Sequence, residues 1–197
     1  MTARPVGVEV AISRIETLLA DREHIFVAID GPCASGKTTL ARTLTERFGG
    51  NVLHMDDFFL RPEQRTLERF AEPGGNVDRE RFETEVLAPL CAGHAVRYRP
   101  WDCHAGDFAE SHTVEPSRLT LIEGSYSMHP ALRGYYDCMI CLAIDRDMQL
   151  DRLKRRDPRM LQRFVEEWIP LENRYFHETG TGQAADLLID TTLPSAM

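Results

Sequence analysis

Lysine is almost missing from this chain. Of its 23 basic side chains only Lys37 and Lys154 are lysine, and all the others are arginine. The guanine-reading N-K-x-D segment of switch-type GTPases is thereby excluded, since Lys37 lies in "SGKTT" and Lys154 in "RLKRR". Long apolar runs are missing too: no window approaches the roughly 18–20 apolar residues that span a bilayer. The N-terminal "MTARPVGVEVAISRIETLLADREH" is broken by Glu9, Arg14 and Glu16, so it lacks the core of a signal peptide. These absences point to a cytoplasmic protein with no membrane partner. Positive charge is in deficit, with a formal net charge of −8. That argues against nucleic acid as a partner, while leaving room for a local basic pocket that takes a small anion. The five cysteines (Cys33, Cys91, Cys103, Cys138, Cys141) are odd in number, in a chain large enough to fold without disulfides, so reduced thiols are expected. Cys138 and Cys141 make a C-x-x-C, but they lie in the apolar run "YYDCMICLAID" with no second pair to complete a zinc site. They read as core packing.

What is present alternates. Residues 8–20 place Val8, Ile12, Ile15, Leu18 and Leu19 at helical spacing, and "HIFVAID" (24–30) is a continuous apolar strand of the kind buried on both faces of a parallel sheet. A helix is predicted over 38–49, ending at Gly49–Gly50, then a strand over 51–55 and a helix over 78–90 opened by Asp78. Strands follow at 96–99, 118–124, 137–145 and 185–191, with helices over 146–156 and 162–178, the latter containing Pro170. Such alternation predicts one α/β domain with a mostly parallel sheet flanked by helices. The Gly- and Pro-containing stretch 61–77 reads as a loop-rich, mobile flap over a substrate.

Between the first strand and the next helix lies "GPCASGKT", residues 31–38, matching G-x-x-x-x-G-K-[ST] in the strand–loop–helix context that the pattern requires. Small residues at Gly31, Cys33, Ala34, Ser35 and Gly36 let backbone N–H groups close around phosphate oxygens at a helix N-terminus. Lys37 then reaches the β- and γ-phosphates, while Thr38, followed by Thr39, offers a hydroxyl to Mg²⁺. The ligand implied is ATP with Mg²⁺. A second constellation is "VLHMDDFFL" (52–60), which brings Asp56 and Asp57 to the end of the second predicted strand, the edge where open α/β sheets bind ligands. A carboxylate there can take the proton of an attacking hydroxyl; capping or a solvated turn is the alternative, more so for Asp57. Motor ATPases usually end an apolar strand in Asp-Glu, whereas "LTLIEG" ends in a lone Glu123.

Taken in order, "GPCASGKTTLA", "HMDDFF", "GNVDRERF", "RYRPWDC", "LTLIEGSYSM" and "DRLKRRD" resemble the uridine kinase family of P-loop kinases, and "DDFF" is also similar to nicotinamide riboside kinases. The resemblance spans most of residues 24–176. It implies a three-layer P-loop fold with an acceptor-binding insertion over 61–104 and a short arginine-rich lid over 152–163. It makes Asp56 the catalytic base for a sugar 5′-hydroxyl, with Phe58 beside the substrate. Asp78 becomes a grip on the ribose diol, unless it is only a helix cap. Glu123 orients Mg²⁺ with Thr38. Trp101 stands where the family has a tyrosine near the nucleobase, and His104 lies near the base-reading histidine, though two residues closer in spacing. Arg152 and Arg155, in R-x-x-R spacing, and Arg163 are the lid arginines. The implied partner is a small-molecule acceptor, a nucleoside first, with nicotinamide riboside, pantothenate or a sugar phosphate as rivals. A sugar phosphate would draw on Arg61, Arg65, Arg69, Arg79 and Arg81. A nucleotide-binding regulator without an acceptor is the rival from another class, and a homo-oligomer stays compatible with the sequence.

Overall fold

The computed structural model describes residues 7–192. Its centre is β1 (Ile25–Asp30), third in a five-stranded sheet ordered β2 (Asn51–His54), β7 (Leu119–Glu123), β1, β8 (Cys138–Ala143), β9 (Leu187–Asp190). Every neighbouring pair is parallel, with Val27 opposite Leu121 on one side and Cys138 on the other. Alternation along β1 sorts its side chains to two layers. Ile25, Val27 and Ile29 face α1 (Val8–Asp21) and α2 (Lys37–Phe48), where Ala11, Ile15, Leu18, Leu40 and Leu44 close the core. Ile122 and Leu53 face the opposite layer with Phe82, Val86, Leu87 and Tyr175. This is the α/β arrangement expected from the alternating pattern, in the three layers that the family resemblance implied. Cys138 and Cys141 are buried in it, and none of the five cysteines is in a disulfide.

Between β2 and β7 the chain builds the insertion: α3 (Leu67–Ala71), α4 (Arg79–Phe82), α5 (Ala88–Cys91), and two antiparallel pairs, β3 (Val96–Tyr98) with β6 (His112–Val114) and β4 (Trp101–Asp102) with β5 (Asp107–Phe108). After β8 come α6 (Arg146–Arg156), α7 (Leu161–Arg163), α8 (Ile169–Thr179) and α9 (Thr181–Ala184). Two predicted helices are each interrupted by a widened π turn, Glu83–Leu87 and Phe164–Trp168. Both interruptions precede a proline by two residues, Pro89 and Pro170. A proline has no N–H to give the carbonyl four residues back and crowds it, so the ladder slips by one. Ala88 N–H accordingly reaches Glu83 O, and Ile169 N–H reaches Phe164 O.

The 61–77 stretch, expected to be loop-rich, holds only short helical pieces. It contains α3 and is tied down by arginines: Arg69 donates to the carbonyls of Gly75 (3.0 Å) and Val77 (2.8 Å) and pairs with Glu80, while Arg174 on α8 donates to Phe70 O (2.7 Å) and Glu72 O (2.8 Å). No helix among the described residues is long and apolar enough to cross a membrane.

At the C-terminal end of β1, Asp30 is fully buried. Its carboxylate accepts from the N–H groups of Gly31 (2.7 Å), Tyr126 (3.1 Å) and Met128 (2.9 Å) and from the Tyr175 hydroxyl (2.8 Å). Burial nevertheless lifts its pKa to about 6, against those donors and the Lys37 charge. The folded state then holds this proton more tightly than the unfolded chain. The group's stabilising contribution is therefore full below about pH 3.9 and lost as pH rises through about 6. Asp30→Asn turns an amide NH₂ toward donors and is expected to cost about 2–4 kcal/mol at neutral pH, a fall in Tm of roughly 5–15 °C. Melts run from pH 4 to 7 should also lose this residue's slope.

Candidate active site

The phosphate loop leaves β1 where only glycine fits. Gly31 has φ +145°, and a Cβ there would lie 2.6 Å from the carbonyl oxygen of Leu142. Lys37, at the first position of α2 and 9% exposed, folds its ammonium back over the loop. Nζ donates to Gly31 O (2.8 Å), Pro32 O (3.0 Å) and Ser125 Oγ (3.2 Å). Cys33, Ala34, Ser35, Gly36, Lys37, Thr38 and Thr39 all line one large cleft above the C-terminal ends of the strands. Gly31 shapes the loop from behind, contributing its carbonyl rather than a wall of the cleft.

Two acidic residues face this loop from neighbouring strand ends. Glu123 closes β7, the strand beside β1, and is buried at 6% exposure. Its Oε1 accepts from Thr38 Oγ1 (3.1 Å) and lies 2.6 Å from His54 Nδ1. That hydrogen bond raises the His54 pKa above its ordinary value, against the effect of burial. Asp56 sits in the 3₁₀ turn Met55–Phe58 that follows β2, with its carboxylate open to the cleft. Solvent reaches it, yet protein surrounds it on most sides. Desolvation therefore raises its pKa, with Lys37 the strongest opposing charge and Glu123 adding to the rise. Asp57 turns the other way and accepts from the Tyr98 hydroxyl (2.9 Å). The Asp56–Asp57 pair thus divides into one cleft carboxylate and one structural one.

Thr38 and Glu123 are two hard oxygen donors in contact, a set that fits Mg²⁺. No cluster of three or more potential ligand side chains occurs among the described residues. An ion held here would take most of its shell from phosphate oxygens and water, as Mg²⁺ commonly does.

No protein-family model matches this chain, and a search of curated proteins finds no match. Solved structures do match. A possible uridine kinase from Bacillus stearothermophilus aligns with TM-score 0.68 at 22% identity, over 91% of this chain and 99% of that one. A candidate fructose transport system kinase from Silicibacter sp. TM1040 gives 0.57 at 22% identity, over 92% and 98%. YFH7 from Saccharomyces cerevisiae, a candidate P-loop containing kinase with a circular permutation, gives 0.56 at 12% identity, over 96% and 100%. The chain has the fold of the P-loop kinases.

On that P-loop kinase fold, the lid arginines are only partly those that spacing suggested. Arg152 lines the cleft and donates to Ala34 O (3.2 Å) and Thr191 O (2.7 Å). Arg155 does not line it: 79% exposed, it pairs with Asp151 at 2.7 Å. Its place is taken by Arg156, which lies over the Phe164 ring. The reason is helical geometry, because four residues return closer to the same face than three when the cleft lies to that side. Arg163 lines the cleft, paired with Glu167 (2.9 Å) and stacked 4.9 Å from the Trp168 ring.

The side of the cleft nearer the insertion departs further from the sequence expectations. Phe58 is core, fully buried between Phe82 and Tyr98 with ring centroids 5.0 and 5.1 Å away, and its neighbour Phe59 faces the cleft instead. Trp101 is buried against Phe108, with centroids 5.2 Å apart, and does not line the cleft; Cys103 and His104 do. Asp78 stands behind the cleft wall. Its Oδ1 caps α4 at Arg81 N (3.2 Å), and its Oδ2 accepts from Gln64 Nε2 (2.7 Å). Sequence reasoning passed over Asn76, Tyr126, Arg156 and Glu172, all on the cleft. Tyr126 holds φ +77°, an uncommon conformation for a non-glycine and a signal visible only in three dimensions. Nucleotide titrations separate the arginines: Arg155→Ala should leave ATP affinity within about twofold, whereas Arg152→Ala should weaken it by about tenfold, the loss of a charge-assisted contact.

Proposed function

We propose that the protein is an ATP- and Mg²⁺-dependent small-molecule kinase that phosphorylates a primary hydroxyl, with the 5′-OH of a ribonucleoside as first choice. The observation that carries this is the shared cleft of Lys37 and Asp56, in which the lysine is the principal charge opposing the rise of the carboxylate pKa. Lys37 and the loop amides hold the triphosphate. Asp56 accepts the proton of the acceptor hydroxyl as its oxygen bonds to the γ-phosphorus and the bond to the β–γ bridging oxygen breaks, releasing ADP. Arg152, Arg156 and Arg163 face the charge that develops. Thr38 and Glu123 would hold Mg²⁺, which neutralises part of the triphosphate charge when bound. Catalysis of this kind is mainly positioning and electrostatic stabilisation.

The choice of acceptor rests on what remains free. Arg69 and Arg79 are bound to Glu72 and Glu80, Arg81 to Glu85, and Arg61 to Glu63 and Gln64. Of the five arginines that a sugar phosphate would draw on, Arg65 alone lines the cleft. Phe59, Leu60, Phe70 and Tyr126 share that side with Asn76, Cys103, His104 and Arg174, the last of which is engaged by the carbonyls of Phe70 and Glu72. Such a lining favours an uncharged, ring-bearing acceptor over a phosphorylated sugar. Asp78 can grip a ribose diol if the diol displaces Gln64.

Lys37→Ala is expected to abolish ATP binding in calorimetry, while Asp56→Asn keeps it and loses transfer by three or more orders of magnitude, roughly the upper range for a positioned base. Because the Asp56 pKa is raised, the acid limb of kcat/KM should lie above the ordinary aspartate value near 3.9. In a panel of acceptors read by coupled ADP release, at least one ribonucleoside should stimulate turnover; a response confined to phosphorylated sugars would reject this acceptor class. A regulator reading predicts the opposite for Asp56→Asn, namely intact function.

A further inference from the structure

Glu172 has no part in the reaction described above, yet it is one of the most deeply buried charges in the molecule, at 4% exposure on α8. It reaches across 139 positions of sequence to the phosphate loop, where its Oε2 accepts the Cys33 N–H at 2.9 Å. Its Oε1 accepts the Ser125 hydroxyl at 2.7 Å. Ser125 has one proton to give, and the short contact to a carboxylate takes it in preference to Gly31 O at 3.1 Å. The Ser125 oxygen is then turned toward Lys37, whose Nζ lies 3.2 Å away. Two of the three acceptors around Nζ are carbonyls of the loop; the third is set by Glu172.

The same side chain ties the loop to α8, whose first turn packs against the segment 152–168. Trp168, four residues earlier and on the same helical face, carries Arg163 over its ring. Leu153, Phe164 and Ile169 pack with Cys33 and Ala34 in one apolar cluster. Burial first, and then the Glu172 charge, push the Cys33 thiol up to about 12, so the thiol offers no anion at neutral pH and the contact that matters is with the backbone amide.

We propose that Glu172 is a positioning residue for phosphoryl transfer, orienting Ser125 against Lys37 and coupling the phosphate loop to α8, the helix that follows the lid segment, without touching the reacting atoms. The proposal rests on the kinase reading. Kinetics of the full chain test the first half. Glu172→Ala should lower kcat by about 10- to 100-fold, the usual cost of removing a group that orients a primary one, with KM for ATP within about threefold. Glu172→Gln keeps the shape and an acceptor for Cys33 N–H but turns its NH₂ toward Ser125, so it should share most of the defect, as should Glu172→Asp, one methylene short. Ser125→Ala should reproduce the defect, and the double variant should be no worse than either single one. Defects that multiply, or an unchanged kcat in a folded Ser125→Ala or Glu172→Ala protein, overturn the proposal. If Glu172→Ala does not fold, Ser125→Ala alone decides.

The coupling has a readout that needs no turnover. With only two tryptophans in the chain, Trp101→Phe leaves Trp168 as the sole emitter. ATP should shift its fluorescence in that background and shift it by less than half as much once Glu172→Gln or Ser125→Ala is added, at ATP saturation checked by calorimetry. An equal shift in all three proteins counts against coupling. Retention of ATP binding by Lys37→Ala would instead sink the kinase reading, leaving the two failures distinguishable.

Discussion

Asp30 is a carboxylate removed from water at the head of the central strand, and four donors from three segments of chain converge on it. Gly31 begins the phosphate loop, Tyr126 and Met128 belong to the turn after β7, and Tyr175 lies on the helix that follows the lid. An ion in a medium of low polarizability is tolerated only where such donors surround it, so the requirement works in reverse: satisfying Asp30 forces those three segments to meet. Each carries part of the candidate site. The loop brings Lys37, the turn brings Ser125, and the helix brings Glu172.

The sheet supplies the rest by topology alone. With β7 and β8 on either side of β1 and every strand parallel, the C-terminal ends of all five point the same way. Glu123 and Asp56, far apart in sequence, arrive at one edge because β2 and β7 are neighbours there. Residues of the insertion and of the segment 152–168 then wall this edge. Ion pairs hold Arg61, Arg69, Arg79 and Arg81 away from the cleft, which leaves Arg65 as the one arginine of the insertion on its wall.

Much of this was legible beforehand, and for identifiable reasons. β1 and β7 show as unbroken apolar runs because both faces are covered, and α6 appears with the bounds the pattern suggested, 146–156. The phosphate loop is readable because its chemistry is local, a set of consecutive amides with one lysine and one hydroxyl. The strand expected at 96–99 appears as β3, but its partner β6 and the pair β4–β5 hold two or three residues per strand, too few for alternation to register. The π turns were hidden because a proline within a helical pattern announces a disturbance without saying how the ladder absorbs it.

Local pattern was also enough to single out Lys37, Thr38 and Asp56, since each stands at a fixed offset from a strand end, and all three line one cleft. Which member of a neighbouring pair faces the cleft was decided only in three dimensions: Phe59 over Phe58 and Arg156 over Arg155. The reason is that a one-residue step turns a side chain by about 100° in a helix and to the opposite face in a strand, and only packing against distant elements sets which direction is outward. Glu172 lay beyond any local reading, because its meaning is a contact with residues 139 positions away.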